Sequence, residues 1–140
     1  MTKIVKQFEV EASPDKVFAI ISVPEKWPQW ASFVKRASSV GLKTHWVYDM
    51  GGMKVESDTQ VSDVKENKVY EFCQTKGFMK DGGTRFDIKT SKKGSSITWT
   101  TEYELPYSYL GRLADKLRAK KQFDKAIDKS VSSLKQVLER

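Results

Sequence analysis

Residues 107–139 read YSYLGRLADKLRAKKQFDKAIDKSVSSLKQVLE. Leu110, Leu113, Ala114 and Leu117 recur at helical spacing, and Phe123, Ile127, Val131, Leu134 and Leu138 resume the stripe further on. The pattern predicts one long helix from Tyr107 to about Glu139 with a single apolar face, which must be buried against something large. The only large partner in the rest of the sequence is a sheet. The fold class is therefore α+β, a sheet wrapped around one long helix, and the space between them is where function would sit.

Working back from the helix, short apolar runs alternate with turn signals. Ser95 to Leu105 is preceded by Thr84 to Ser91 across Lys92-Lys93-Gly94. A loop from Gly77 to Gly83 separates these from Val69 to Lys76, and the Glu66-Asn67-Lys68 turn leads back to Met53 to Val64. Gly51-Gly52 makes a hairpin with Thr44 to Met50, and Gly41 closes a strand near Val40. Connections this short favour antiparallel neighbours, so six strands form a meander. Before it, Ile4, Phe8 and Val10 mark a first strand, with Lys6 on the same face. Ser13-Pro14-Asp15 then opens a short helix, with serine as N-cap and proline at the first helical position. It carries Val17, Phe18, Ile20 and Ile21 and ends by Pro24. Glu25 to Ala31 reads as a second short helix, with Trp27 and Trp30 on one face.

Strand alternation predicts the side chains that face the long helix. Trp46, Tyr48 and Met50 share a face, as do Tyr70, Phe72 and Gln74. Phe86 and Ile88 form a third set, and Ile97, Trp99, Thr101, Tyr103 and Leu105 a fourth. Met53, Val55, Ser57, Thr59 and Val61 form the last. The mixture of large aromatics with small hydroxyl residues is that of an apolar pocket carrying a few hydrogen-bonding groups; the competing reading is a filled core whose hydroxyls bond to backbone. Phe78 and Met79 lie in a glycine-flanked loop where polar residues are usual, so they pack on the sheet rim or form a lip over the pocket, with Met50 and Met53 opposite.

Composition narrows the function. The 140 residues suffice for one domain with a real core. The first residues, Met1 to Lys6, are too polar for a signal peptide, and no apolar run approaches the roughly 20 residues that span a bilayer. A single cysteine, Cys73, forms no internal disulfide, so a cytoplasmic location is expected. One histidine and one cysteine argue against the usual zinc or iron sites, and no cofactor is expected. The net charge is +7, and from Pro106 onward nine basic residues face four acidic ones. That excess is a solvated helix face or a surface attracted to anionic membrane. Nucleic acid is not expected, because aromatics are not interleaved with the cations as stacking platforms require.

The sequence yields no catalytic constellation. His45 is the one side chain that ordinarily titrates near neutrality, and alternation turns it outward with Val47 and Asp49, so a His45–Asp49 pair is conceivable but lacks a nucleophile. Cys73 reads as a structural or surface thiol, and Glu56 and Asp58 as outer-face solubility residues.

Two phrases carry a resemblance. Val23-Pro24-Glu25-Lys26-Trp27-Pro28-Gln29-Trp30 resembles the tryptophan-bearing second helix of the polyketide cyclase/dehydrase group of the START-like (SRPBCC, pollen-allergen-like) superfamily. Pro106-Tyr107-Ser108-Tyr109-Leu110-Gly111-Arg112-Leu113-Ala114-Asp115-Lys116-Leu117 resembles the start of its C-terminal helix, and Thr44-His45-Trp46-Val47 fits as well. The resemblance covers residues 1–140 as a single START-like ligand-binding domain. It implies a helix-grip fold: a curved antiparallel sheet of about seven strands around a long C-terminal helix, two short helices after the first strand, and a deep cavity with its mouth near the start of the long helix. Members of the family bind lipids, sterols, quinones, polyketides or plant hormones; some are enzymes, others carriers or co-chaperones. They share no catalytic motif, so no catalytic residue carries over.

The expected function is to bind or carry a small, largely hydrophobic molecule that is lipid-, quinone- or polyketide-like. One alternative is a cyclase, dehydratase or hydrolase, for which only Lys6, Tyr48, Tyr70 and Tyr103 offer a titratable group facing inward; the reading leans away from catalysis. The other is a co-chaperone-like interaction module. The expected ligand-binding residues are Trp46, Tyr48, Met50, Met53, Ser57, Thr59, Tyr70, Phe72, Gln74, Phe78, Met79, Phe86, Trp99, Thr101 and Tyr103 from the sheet, with Leu110, Leu113 and Leu117 from the helix.

Overall fold

The computed structural model describes residues 1–106 and 116–140. Strand β1 (Thr2–Val10) is followed by helix α1 (Pro14–Ile21) and a 3-10 helix (Pro24–Gln29). Then come β2 (Val34–Val40), β3 (Lys43–Met50), β4 (Met53–Lys65), β5 (Val69–Gly77), β6 (Asp81–Thr90), β7 (Ser95–Glu104) and helix α2 (Lys116–Leu138). All strands lie in one antiparallel sheet in the order β1-β7-β6-β5-β4-β3-β2. This is the helix-grip, START-like fold: a curved seven-stranded sheet around the C-terminal helix. The long strand β4 slips register at Asp58/Thr59 and again at Val61/Asp63. Bulges of this kind bend a strand and increase its twist, which curls the sheet around the helix.

Local chemistry explains the boundaries. Ser13 is extended and Pro14 takes the first helical position, as expected, but the Ser13 hydroxyl donates to the Asp15 carboxylate and not to a helix N–H. The second short helix is 3-10 and begins at Pro24, one residue earlier than expected. Gly51 and Gly52 both take positive φ (63° and 87°), the conformation of a tight two-residue hairpin, and the Gly52 N–H donates to Asp49 Oδ1 at 2.8 Å. Strand β6 begins at Asp81, not Thr84, so the expected seven-residue loop shrinks to Phe78–Lys80.

Helix α2 buries Ala119, Ile127, Ser130 and Leu134, with Phe123, Val131 and Leu138 partly covered. Leu117 departs from the expected stripe and is 64% exposed. It stands two residues, or about 200° of helical rotation, from buried Ala119, so it falls on the opposite flank. Leu110 and Leu113 lie outside the described residues. Polar ties fix the helix to the rest of the fold. Lys6 Nζ pairs with Asp124 and, at 3.1 Å, with Asp128. The Ser32 N–H donates to Ser130 Oγ at 3.1 Å, and the Glu11 N–H to Glu139 Oε2 at 2.9 Å.

Candidate ligand-binding site

An aromatic cluster sets one end of the space between sheet and helix. Trp27, on the 3-10 helix, inserts among Trp30, Trp46, Phe86, Phe72 and Trp99, with ring centroids 4.5, 4.9, 5.6, 5.8 and 6.2 Å away. Its indole Nε1 donates to the Ile21 carbonyl at 2.9 Å. Two tryptophans, one on so short a helix and one capping its end, are buried by entering the sheet's concavity, and Trp27 and Trp30 are 2% and 1% exposed. The aromatics expected to wall an empty space therefore partly fill one another's.

What remains is a cavity of about 80 Å³ between the sheet and α2. From the expected set it brings together Tyr48, Met50, Thr59, Phe72, Gln74, Phe78, Met79, Trp99, Thr101 and Tyr103. Residues outside the expected set complete it: Trp27 and Phe33 from the segment before the sheet meander, Gly82, Gly83 and Thr84 from β6, Glu102 from β7, and Phe123, Ala126 and Ile127 from α2. The helical stripe itself was the signal for Phe123 and Ile127.

Six expected residues stand elsewhere. Trp46 stacks on Phe72 at 5.2 Å and on Tyr48 at 5.9 Å, behind the wall. Phe86 packs on Trp99 at 4.9 Å, and Tyr70 on Phe72 at 5.8 Å. Ser57 is buried beneath Gln74, Met53 lies on the rim beside the Gly51-Gly52 turn, and Leu117 faces solvent. Alternation gives the face a side chain takes but not its depth beneath its neighbours.

The polar groups of the wall are largely occupied with each other. Trp46 Nε1 donates to Thr59 Oγ1 at 2.8 Å, and Trp99 Nε1 to Thr101 Oγ1 at 3.0 Å; Thr101 also meets Thr84 Oγ1 at 3.3 Å. Gln74 organises the loop between β5 and β6. Its Oε1 accepts from Ser57 Oγ (3.1 Å) and the Met79 N–H (3.3 Å), and its Nε2 donates to the Met79 carbonyl (2.7 Å). Phe78 and Met79 are thereby held down over the cavity. Gly77 permits this approach: at φ 156°, a Cβ there would lie 2.7 Å from both Ser57 Cα and Gln74 Oε1.

Two hydroxyls of the wall belong to tyrosines. Tyr103 is 4% exposed, and among the described residues its hydroxyl has no hydrogen-bond partner of sound geometry, although the Thr2 side chain is close enough to favour the ionised form slightly. Tyr48, 8% exposed, stacks on Trp46 at 5.9 Å and on Phe33 at 6.0 Å. Burial pushes both phenols up, Tyr103 to about 12, so both are neutral donors at physiological pH. Tyr70 is also pushed to about 12, by burial and by the Glu25 charge, but lies outside the cavity. Lys6, the fourth inward titratable group, is turned to α2, where the hydrogen bond to Asp124 raises its pKa.

On the outer face, His45 pairs across the strands and not with Asp49. Its Nδ1 lies 2.5 Å from Asp58 Oδ1 and its Nε2 3.4 Å from Glu56 Oε1, while Asp49 is occupied by the hairpin turn. Register explains this, since His45 opposes Asp58 directly. The hydrogen bond to Asp58 raises the imidazole pKa. Cys73 is an exposed free thiol.

The fold recurs in proteins of distant sequence. A structure of TTHA0849 from Thermus thermophilus matches with a TM-score of 0.80 at 19% identity, over 96% of this chain and 95% of that one. A START superfamily protein from Mycobacterium smegmatis matches with a TM-score of 0.77 at 20% identity, over 98% and 97%. DR_A0006 from Deinococcus radiodurans matches with a TM-score of 0.74 at only 6% identity, over 96% and 95%. Among curated proteins none matches. Residues 1–139 match the family model described as polyketide cyclase/dehydrase and lipid transport, and the chain belongs to that family.

Proposed function

We propose that this protein binds and carries a small, largely apolar molecule in the cavity between the sheet and α2. One observation carries the reading: an apolar cavity between the sheet and α2, walled by Tyr48, Phe72, Trp99, Tyr103, Phe123 and Ile127. Binding is favoured over catalysis because the buried titratable groups of the wall are phenols held neutral by burial. Glu102, at the rim, is half exposed and paired with Lys3. Native mass spectrometry and solvent extraction of freshly purified protein test this. A co-purifying apolar small molecule is expected, and its return to stripped protein should shift Trp99 emission and raise the Tm by mass action. No adduct, and no thermal shift with any neutral apolar compound, would refute it.

A membrane partner is supported by a separate observation. Lys120, Lys121, Lys125 and Lys129 are exposed on α2 and form no ion pair among the described residues, whereas Asp124 and Asp128 are drawn to Lys6. The solvent face is thus a cationic stripe with exposed Leu117 at its N-terminal end. Such a stripe contacts an anionic bilayer transiently, at about 1 kcal/mol per cation near the surface. Binding to phosphatidylserine vesicles should appear at low salt and fall when Lys120 and Lys121 become Glu; no binding at low ionic strength would refute the contact. Among the described residues no helix is long and apolar enough to cross a membrane.

A further inference from the structure

Resting on the cavity-binding reading above, we infer that a notch over Gly82 is a subsite of the cavity which the protein fills with its own Met79 side chain, and that Met79 thereby sets how long an apolar molecule the cavity accepts. Gly82 is buried on β6, opposite Tyr103 and two residues before Thr84. It stands outside the positive-φ region, so its backbone does not require glycine. A glycine inside a strand weakens it and often marks the close approach of another group. At Gly82 that group is identified. A Cβ there would lie 2.7 Å from Met79 Cε and 2.9 Å from Met79 Sδ, whereas the next atom, the Glu102 carbonyl oxygen at 3.4 Å, is in ordinary contact. Gly83 differs: a Cβ on its side of the sheet would press on the neighbouring strand, 3.2 Å from the Phe72 carbonyl oxygen and 3.3 Å from Cys73 Sγ. Only the Met79 thioether takes up the room that a side chain at Gly82 would need.

That thioether is replaceable. Methionine is unbranched, so Sδ and Cε swing aside by rotation within the side chain, while the Met79 backbone stays bonded to Gln74. Its tip is apolar, so an apolar ligand group that takes the same seat restores the contacts the tip gives up. The seat is also continuous with the cavity, because Met79, Gly82, Thr84 and Tyr103 all line it. With Met79 in place the cavity measures about 80 Å³. A chain that outgrows this space finds its next room at Gly82, and Met79 is the side chain it must displace to enter. The competing account is that Gly82 only lets the loop pack tightly and has no part in selection.

Two isomers separate these accounts. Cumene and n-propylbenzene contain the same atoms, so their transfer from water is nearly equal, but the propyl chain reaches further. Each is titrated into the stripped, full-length protein carrying carbon-13 in its methionine methyl groups, and binding is read from the methyl resonances of Met79 and Ile127. n-Propylbenzene should move the Met79 methyl more than cumene does. Met79→Ala, which empties the notch and leaves Ile127 as the reporter, should shift the ratio of affinities toward n-propylbenzene by about fourfold, the worth of one buried methylene. Gly82→Ala, which fills the notch with a methyl group, should shift the ratio toward cumene by a similar factor; should that variant not fold, Met79→Ala decides alone. A ratio unchanged in Met79→Ala, whatever happens to its stability, would overturn the inference and leave the cavity reading standing. If neither isomer moves either resonance in the parent protein or in Met79→Ala, the cavity reading fails, and the inference with it.

Discussion

Filling the cavity from the helix side distinguishes a true void from a packed core. Ala126 lines the space from α2, and its carbonyl accepts from Ser130 Oγ at 2.7 Å, a bond that a new side chain does not disturb. Ala126→Leu is close to neutral in helix propensity and adds three carbon atoms toward the space. An unfilled apolar cavity of about 80 Å³ costs about 2 kcal/mol at roughly 24 cal/mol per Å³. If the added methyl groups recover half of this or more, the variant gains about 1–2 kcal/mol. For a chain of 140 residues the unfolding entropy is about 0.3 kcal/mol/K, so the Tm should rise by about 3–7 °C. Urea denaturation, with the slope unchanged, gives the free energy directly. The same variant should lose affinity for a small apolar probe such as cumene, because the probe's volume now belongs to the protein. A destabilisation of about 1–3 kcal/mol, the usual cost of overpacking, would refute the void and with it the proposed binding site.

Four further substitutions test other parts of the structure. Leu134 is fully buried on α2, so Leu134→Asp should cost more than about 4 kcal/mol, and a silent thermal melt would sink the placement of the helix. Tyr103→Phe removes a hydroxyl that is buried without a partner, so urea stability should stay level or rise by up to about 1 kcal/mol; a clear loss would mean the hydroxyl is bonded. His45 has a raised pKa in the folded state, so its pairing with Asp58 stabilises fully below the unfolded value of 6.5 and is lost as pH rises through the folded value. Because the pair is half exposed, the difference in unfolding free energy between pH 5.5 and pH 8.5 that His45→Gln removes should be under about 1 kcal/mol, and an unchanged pH profile would count against the pairing. Gln74→Leu strips the loop of its side-chain bonds, and amide exchange at residues 78–80 should accelerate while exchange in β7 stays slow; uniform protection would show that Gln74 does not hold the loop.

Much of this was legible because its causes are local. The alternation of Ile97, Trp99, Thr101 and Tyr103 fixes which face of β7 is inward, and the apolar stripe of Phe123, Ile127 and Leu134 fixes which side of α2 meets it. What alternation does not encode is depth. Trp46 and Phe86 point inward as read, yet lie behind Phe72 and Trp99, because Trp27 arrives from a different segment and takes the space before them. The pairing of His45 depended on register: one strand alone suggests Asp49 as neighbour, and only the alignment with β4 brings Asp58 opposite. The turn of Lys6 toward Asp124 needed the position of a helix more than one hundred residues away. Local pattern therefore gave the container, and non-local packing decided how much of it stays open.

That division bears on how a ligand reaches the cavity. At about 80 Å³ the space is roughly half of a dry cavity known to hold benzene, so an occupant of ring size or more requires one wall to yield. The aromatic wall is the expensive one: Trp27 is locked by five ring contacts and an indole hydrogen bond, and displacing such a residue costs about 3–5 kcal/mol in lost packing before any strain. The Phe78–Lys80 loop is held by the packing of partly buried Phe78 and Met79, Phe78 on Tyr48 at 5.9 Å, and by hydrogen bonds: those to Gln74, the Phe78 N–H to the Glu56 carbonyl at 3.1 Å, and the Lys80 N–H to the Glu104 carbonyl at 2.8 Å. Each is worth only about 1 kcal/mol net, since water replaces it on opening. Lifting Met79 breaks the Gln74 bonds and uncovers one partly buried side chain, while the flanking strand ends stay paired. The wall that yields at least cost is therefore the one that carries Phe78 and Met79. The short loop that interrupts the β5–β6 hairpin is in this way the adjustable part of an otherwise closely packed container.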